Sequence, residues 1–145
     1  MRVLVQRCDQ AKVSACEKIL GQIDVGLMLL VGFTEGDDSN TIDYMIDKVI
    51  NLRIFDDNDG VMNKSLLDVC GSILSVSQFT LYADTSKGRR PNYLKALSGE
   101  KATILYDEFN NKIKEKGINI QTGLFGADMK VEFINNGPVT IMLEK

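Results

Sequence analysis

The chain has 145 residues, 17 basic and 20 acidic side chains and a formal net charge of −3, with 44% hydrophobic residues, the profile of a globular protein long enough to build one core. It contains no histidine, which excludes Ser-His-Asp and Cys-His catalysis and argues against a transition-metal site. Its cysteines, Cys8, Cys16 and Cys70, are odd in number and form no C-x-x-C pair, so neither a disulfide framework nor a zinc site is expected, and each reads as a small buried hydrophobe.

In chain order, residues 2–7 open directly as a strand, without the charged, apolar and small-residue order of a signal peptide. No apolar run approaches the roughly 20 residues that a membrane helix needs. A cytoplasmic protein with no membrane partner is the expectation. Residues 13–17 and 27–33 read as further short strands, the latter buried and flanked by Gly26 and Gly32. Asp37, Asp38 and Ser39 offer helix N-caps. Ile42, Met45, Ile46, Val49 and Ile50 then recur on one helical face. Asp57-Asn58-Asp59-Gly60 is a turn signal; its acidic run lacks the downstream ligand of a calcium loop, so no metal site is assigned there.

Residues 72–81 form a β-rich stretch that carries Ser77-Gln78-Phe79-Thr80. Two readings of that motif stay open on local chemistry. It is either a strand end with polar residues facing solvent, or a place where backbone N–H groups and hydroxyls meet a developing oxyanion. Next comes a loop rich in cations: Lys87, Arg89, Arg90, Lys95 and Lys101 stand against Glu100 alone. Such a run is either a solvated face or a contact for phosphates. Ser98 is placed to cap a second helix with Ala102, Leu105, Phe109 and Ile113 inward, lysines in its last turns and Gly117 as its stop. The tail alternates through Met129, Val131 and Phe133, is interrupted at Asn135-Asn136-Gly137-Pro138, and alternates again through Val139, Ile141 and Leu143, which reads as two strands and a tight connection. Gly137-Pro138 is either a turn or a cis peptide that gates a small ligand. About seven strands and two main helices are expected in a single α+β domain spanning residues 1–145, mainly antiparallel and curled into a barrel-like sheet.

Several blocks taken together resemble the D-aminoacyl-tRNA deacylase family, once called D-tyrosyl-tRNA deacylase. They are Met1-Arg2-Val3-Leu4-Val5-Gln6-Arg7, Leu52-Arg53-Ile54-Phe55, Met62-Asn63-Lys64-Ser65-Leu66, Ser77-Gln78-Phe79-Thr80-Leu81-Tyr82-Ala83-Asp84, Lys87-Gly88-Arg89-Arg90-Pro91, Thr122-Gly123-Leu124-Phe125-Gly126-Ala127-Asp128-Met129 and Asn136-Gly137-Pro138-Val139-Thr140. Their order and separations cover nearly the whole chain.

The resemblance implies a cofactor-free and metal-free esterase. It would release D-amino acids, and mischarged glycine, from aminoacyl-tRNA, with no DNA partner. It also implies a homodimer with the active site at the subunit interface. Ser77, Gln78, Phe79 and Thr80 would line the catalytic site of one subunit. Gly137 and Pro138, cis in the family, would enter from the other and reject an L side chain. Arg7 matches the residue that fixes the direction of that motif, and Phe125 and Met129 match residues near the pocket. Two departures stand out: Asn136 where the family often has Asp, and residues 15–20, which lack an expected glycine-containing hairpin. A histidine-free hydrolase needs an activated substrate or substrate help. An aminoacyl ester with its neighbouring ribose 2′-OH supplies both, whereas Thr80 as nucleophile has no visible base. The alternative function is a non-catalytic tRNA-binding module.

Overall fold

In the computed structural model, which describes residues 1–145, the first two expected strands are one long strand, β1 (Arg2–Ala15), followed by a hairpin partner, β2 (Lys18–Ile23). Residues 13–17 are therefore not a separate strand. Burial alternation breaks at residues 7–10 but resumes from Ala11 through Val13 to Ala15, pairing with β8 continues on both sides of that break, and the chain reverses only at Cys16 and Glu17. Both turn residues have positive φ, 47° and 62°, as a two-residue hairpin of this twist requires. The hairpin thus forms without glycine. Ladder pairing on both sides, Ala15 with Lys18 and Ser14 with Ile19, holds two side-chain-bearing residues in a region they rarely adopt.

β3 (Gly26–Gly32) runs antiparallel to the first half of β1. It leads through α1 (Ser39–Asn51) and a small ribbon, β4 (Phe55–Asp56) with β5 (Met62–Lys64), to β6 (Ser72–Ser77). A 3-10 turn (Phe79–Tyr82) and α2 (Gly99–Glu115) follow, then β7 (Ile120–Thr122) and β8 (Lys130–Glu144). The main sheet has the order β2-β1-β3-β6-β7, with β8 lying along β1. Strands joined by hairpins or long returns pair antiparallel, as expected. By contrast, β3 with β6 and β6 with β7 are parallel, because helices carry the chain back to the same end between them. The sheet nearly closes into a barrel where β2 meets β7. A side chain at Gly21 would lie 2.9 Å from Gln121 Cβ, so the closure depends on glycine there.

Alternation along the strands makes two cores. Val3, Val5, Leu27, Leu29, Val31 and Ile73 face the helices and join Ile42, Met45, Ile46, Val49, Phe109 and Ile113 in a cluster of 20 buried residues. The opposite faces put Cys8, Ala11, Val13, Ile23, Met28, Leu74 and Val76 into a smaller cluster inside the curl. Asp38 caps α1, its carboxylate accepting from Thr41 N at 2.8 Å. Ser98 precedes α2 but makes no capping bond, contrary to the sequence expectation; Gly117 does end the helix, at φ 80°. Cys16 and Cys70 are exposed, and only Cys8 is buried as expected of all three. No helix is long and apolar enough to cross a membrane.

Candidate functional site

Ser77 is the last residue of β6, paired with Val31 on β3. The ladder carries one step further, with Gln78 N donating to Val31 O at 2.7 Å. That close approach needs Gly32, since a Cβ there would sit 2.8 Å from Gln78 O. The backbone then tightens into the Phe79–Tyr82 turn, closed by Leu81 N to Gln78 O and Ala83 N to Thr80 O. The N–H groups of Phe79 and Thr80 stand at the head of that turn and find no acceptor in the protein. The β-rich stretch therefore ends at Ser77, not at Leu81, and the motif is a strand end followed by an open pair of donors.

A cavity of about 290 Å³ opens at this point. Ser77, Gln78 and Phe79 line one side, and Phe125 and Met129, with Gly126, Ala127, Asp128 and Val131, line the other. Leu97 and Ala102 close the wall near α2. The structure thus gathers residues from two of the distant sequence blocks. Thr80 does not line the cavity; its hydroxyl accepts from Gln78 Nε2 and has no base beside it. Asp128 is the one ionisable residue of the lining, and no role was assigned to it from sequence.

Tyr106 was also missed. Its hydroxyl donates to Ser75 O at 2.8 Å, accepts from Ser75 Oγ, and its ring packs on Phe125 at 5.8 Å, so α2 holds both β6 and the far wall. Burial pushes its phenol above the usual range, against the hydrogen bonding with Ser75. The signal was present: Ala102, Tyr106, Phe109 and Ile113 share one helical face.

Arg7, Gly137 and Pro138 lie elsewhere. The tail is one strand, not two: β8 pairs with β1 on both sides of the interruption, and Gln6 faces Thr140 while Cys8 faces Asn135. Residues 136–139 therefore stand opposite Arg7 alone and loop out as a bulge. The ladder bonds lost there are replaced by one buried guanidinium. Arg7 donates to Ile54 O (2.7 Å), Asp56 Oδ1 (3.1 Å), Asn136 O (3.3 Å) and Asn136 Oδ1 (2.9 Å). Asn136 Nδ2 in turn donates to Asp9 Oδ1 at 2.7 Å. With its amide oriented to satisfy both ends, Asn135 donates to Arg7 O and Val139 O across the neck of the bulge. At its tip the Gly137–Pro138 peptide is cis, with Gly137 at φ 118°.

The two motifs do not meet within one chain. Ser77 aligns through Val31 with Val3, while the bulge faces Arg7. Four residues along β1 amount to roughly 13 Å, and three strand spacings to roughly 14 Å.

A family model described as D-Tyr-tRNA(Tyr) deacylase matches residues 4–144. The chain is 56% identical over 144 residues to a D-aminoacyl-tRNA deacylase of Listeria monocytogenes serotype 4a, covering 99% of this chain and 95% of that one. Among solved structures it is similar to a c-Myc DNA unwinding element binding protein, with a TM-score of 0.94, 36% identity and 100% and 99% of the two chains covered. It also superposes on a probable eukaryotic D-amino acid tRNA deacylase with a TM-score of 0.84, 20% identity and 98% and 97% coverage, which speaks to the fold.

Proposed function

Since the chain belongs to the D-Tyr-tRNA(Tyr) deacylase family and is a hydrolase of that family, we propose that it cleaves the ester of D-aminoacyl-tRNA as a cytoplasmic, single-domain homodimer. The observation that carries the reading is an apolar cavity with unused N–H groups at Phe79, in its wall, and at Thr80, next to it, and with Asp128 as the one ionisable residue of its lining. Such a site suits an ester already activated by its own ribose. The substrate's terminal 2′-OH assists water attack on the carbonyl carbon, and the N–H groups hold the oxyanion. The ester C–O bond then breaks, the ribose 3′-oxygen takes the proton, and free D-amino acid and tRNA leave. Ser77, Gln78 and Phe79 position the terminal nucleotide and the carbonyl against Phe125 and Met129. Thr80 orders Gln78 rather than attacking.

Gly137 and Pro138 act as the chirality gate, held in place by Arg7. Their distance from Ser77 within one chain supports a site completed by the second subunit. Edge strand β8, with Ile134 and Met142 exposed, offers that subunit an apolar face. A gate made of backbone reads only whether an L side chain is present, so glycine passes as well as D-amino acids. DNA is not proposed as a partner, although one structural neighbour is named for a DNA element.

Incubation with D- and L-tyrosyl-tRNA tests the activity: the D-ester is lost and the L-ester survives. Rapid loss of both removes the gate, and survival of both favours a tRNA-binding module without catalysis. For the mechanism, Thr80→Ala should slow hydrolysis by less than about tenfold, and a 2′-deoxy terminal ribose by more than about a hundredfold. The reverse order would assign the chemistry to Thr80.

A further inference from the structure

Between the Phe79–Tyr82 turn and α2 runs an exposed loop that carries Lys87, Arg89 and Arg90, followed by exposed Lys95, in a chain of net charge −3. None of these cations enters an ion pair; other cations, Lys18, Lys114 and Lys116 among them, are also unpaired, but only here do three unpaired ones fall within four residues, 87–90. The nearest carboxylate in sequence, Asp84, accepts from Ser86 N and lies within electrostatic reach of Lys95 but forms no ion pair with Lys87, Arg89 or Arg90. Like charges left together without partners repel each other, so the arrangement favours an external polyanion.

The loop is fixed at its root and touches the cavity rim. Asp84 and Asn92 exchange backbone bonds of 2.8 and 2.9 Å. Thr34 Oγ1 donates to Lys95 O at 2.6 Å, and Leu97 N donates to Phe33 O at 2.8 Å. Tyr93 meets Phe79, itself a wall of the cavity, edge to face at 5.0 Å. Beside the cations stand exposed apolar surfaces: Leu94 at 90%, Phe79 at 53% and Tyr93 at 38%. Cations that meet phosphates next to rings that stack on unpaired bases are the chemistry of single-stranded nucleic-acid contact.

We infer that this loop is the docking surface for the acceptor end of tRNA. Lys87, Arg89 and Arg90 hold phosphates of the stem while Phe79, Tyr93 and Leu94 pack against the bases that lead into the cavity. The inference rests on the reading of the cavity as the site for the aminoacylated 3′ terminus.

The test compares wild type with K87A/R89A/R90A and with K18A/K114A/K116A, a control that removes equal charge from exposed sites away from the loop. Uncharged tRNA is the binding probe, titrated over a range of salt. The loop variant should bind at least about tenfold more weakly at low salt, with a log–log salt slope smaller by about 2 to 3, near one per lost phosphate contact. The control should stay within about twofold of wild type. Hydrolysis of D-tyrosyl-adenosine, which has no stem, should be equal in wild type and loop variant, while kcat/KM on D-tyrosyl-tRNA falls with binding. Unchanged binding in the loop variant, an equal loss in the control, absence of tRNA binding by wild type, or a parallel loss on D-tyrosyl-adenosine would each overturn the docking surface. Salt-dependent binding that the loop variant loses, with no ester cleavage by wild type, would keep the surface and defeat the esterase.

Discussion

The end of β6 and the bulge of β8 belong to one sheet and are built by opposite means. At Ser77 the ladder continues to the last residue and one step beyond, and the cavity walls are shared among many apolar side chains. At residues 136–139 the ladder is interrupted, and one buried arginine supplies the missing donors to Ile54, Asp56 and Asn136. A site made where regular structure simply ends spreads its support widely. A site made by interrupting regular structure concentrates its support in whichever side chain fills the gap. The two ends should therefore fail differently.

The largest effect is expected at Arg7. Arg7→Ala leaves the buried Ile54 carbonyl and the Asn136 acceptors without donors and opens space beside them. It should cost about 3 kcal/mol of stability and abolish hydrolysis of D-tyrosyl-tRNA. Arg7→Lys, with one head group for four acceptors, should fall between. Ser77→Ala, at the supported end, should cost no more than about 1 kcal/mol. Urea denaturation at fixed protomer concentration measures all three. Equal losses at Arg7 and Ser77 would break the contrast.

Asn136 sharpens it. Its amide accepts from Arg7 on one side and donates to Asp9 on the other. An aspartate, frequent at this position in the family that the sequence resembles, would keep the bond to Arg7 but set two carboxylates face to face. Asn136→Asp should therefore lower kcat/KM by about three- to tenfold, and Asp9→Asn added to it should recover most of the loss. Failure of the second change to help would mean that Asp9 does not participate in orienting the bulge.

How much of this was legible in the sequence differed between the same two ends. The helical face of Ile42 to Ile50 and the alternation of Val131 and Phe133 gave the elements, because burial on one side imposes a period that local reading detects. Whether residues 130–144 were one strand or two was not legible. Asn135-Asn136-Gly137-Pro138 has the composition of a turn, and only pairing with β1 on both sides makes it a bulge. The continuity of β1 was hidden for a similar reason, since the long-range partner of residues 8–11 is what keeps them extended. Parallel pairing of β3, β6 and β7 has no local signature. At the pocket, Phe125 and Met129, which the resemblance named, share a lining with Ser77, Gln78 and Phe79, while Tyr106 and Asp128 were passed over. Tyr106 acts through Ser75, a contact across 31 positions of sequence.

The smallest effect, and the most local, is expected at Cys8. It lies opposite Asn135 at the neck of the bulge, fully buried, and burial pushes its thiol up from 9.0 to about 11. Because the folded state favours the neutral thiol, its contribution to stability is complete below pH 9. The contribution declines as pH rises from about 9 towards 11, where the unfolded chain ionises first. At pH 8 an alkylating reagent should modify exposed Cys16 and Cys70 quickly and reach Cys8 only through transient opening of the bulge. Peptide mass spectrometry over time then reads that opening directly. Arg7→Lys should speed labelling of Cys8 by about tenfold, while Ser77→Ala leaves it within about twofold of wild type. If both variants speed it alike, the two ends open together, and the single arginine is not what keeps the interrupted strand in place.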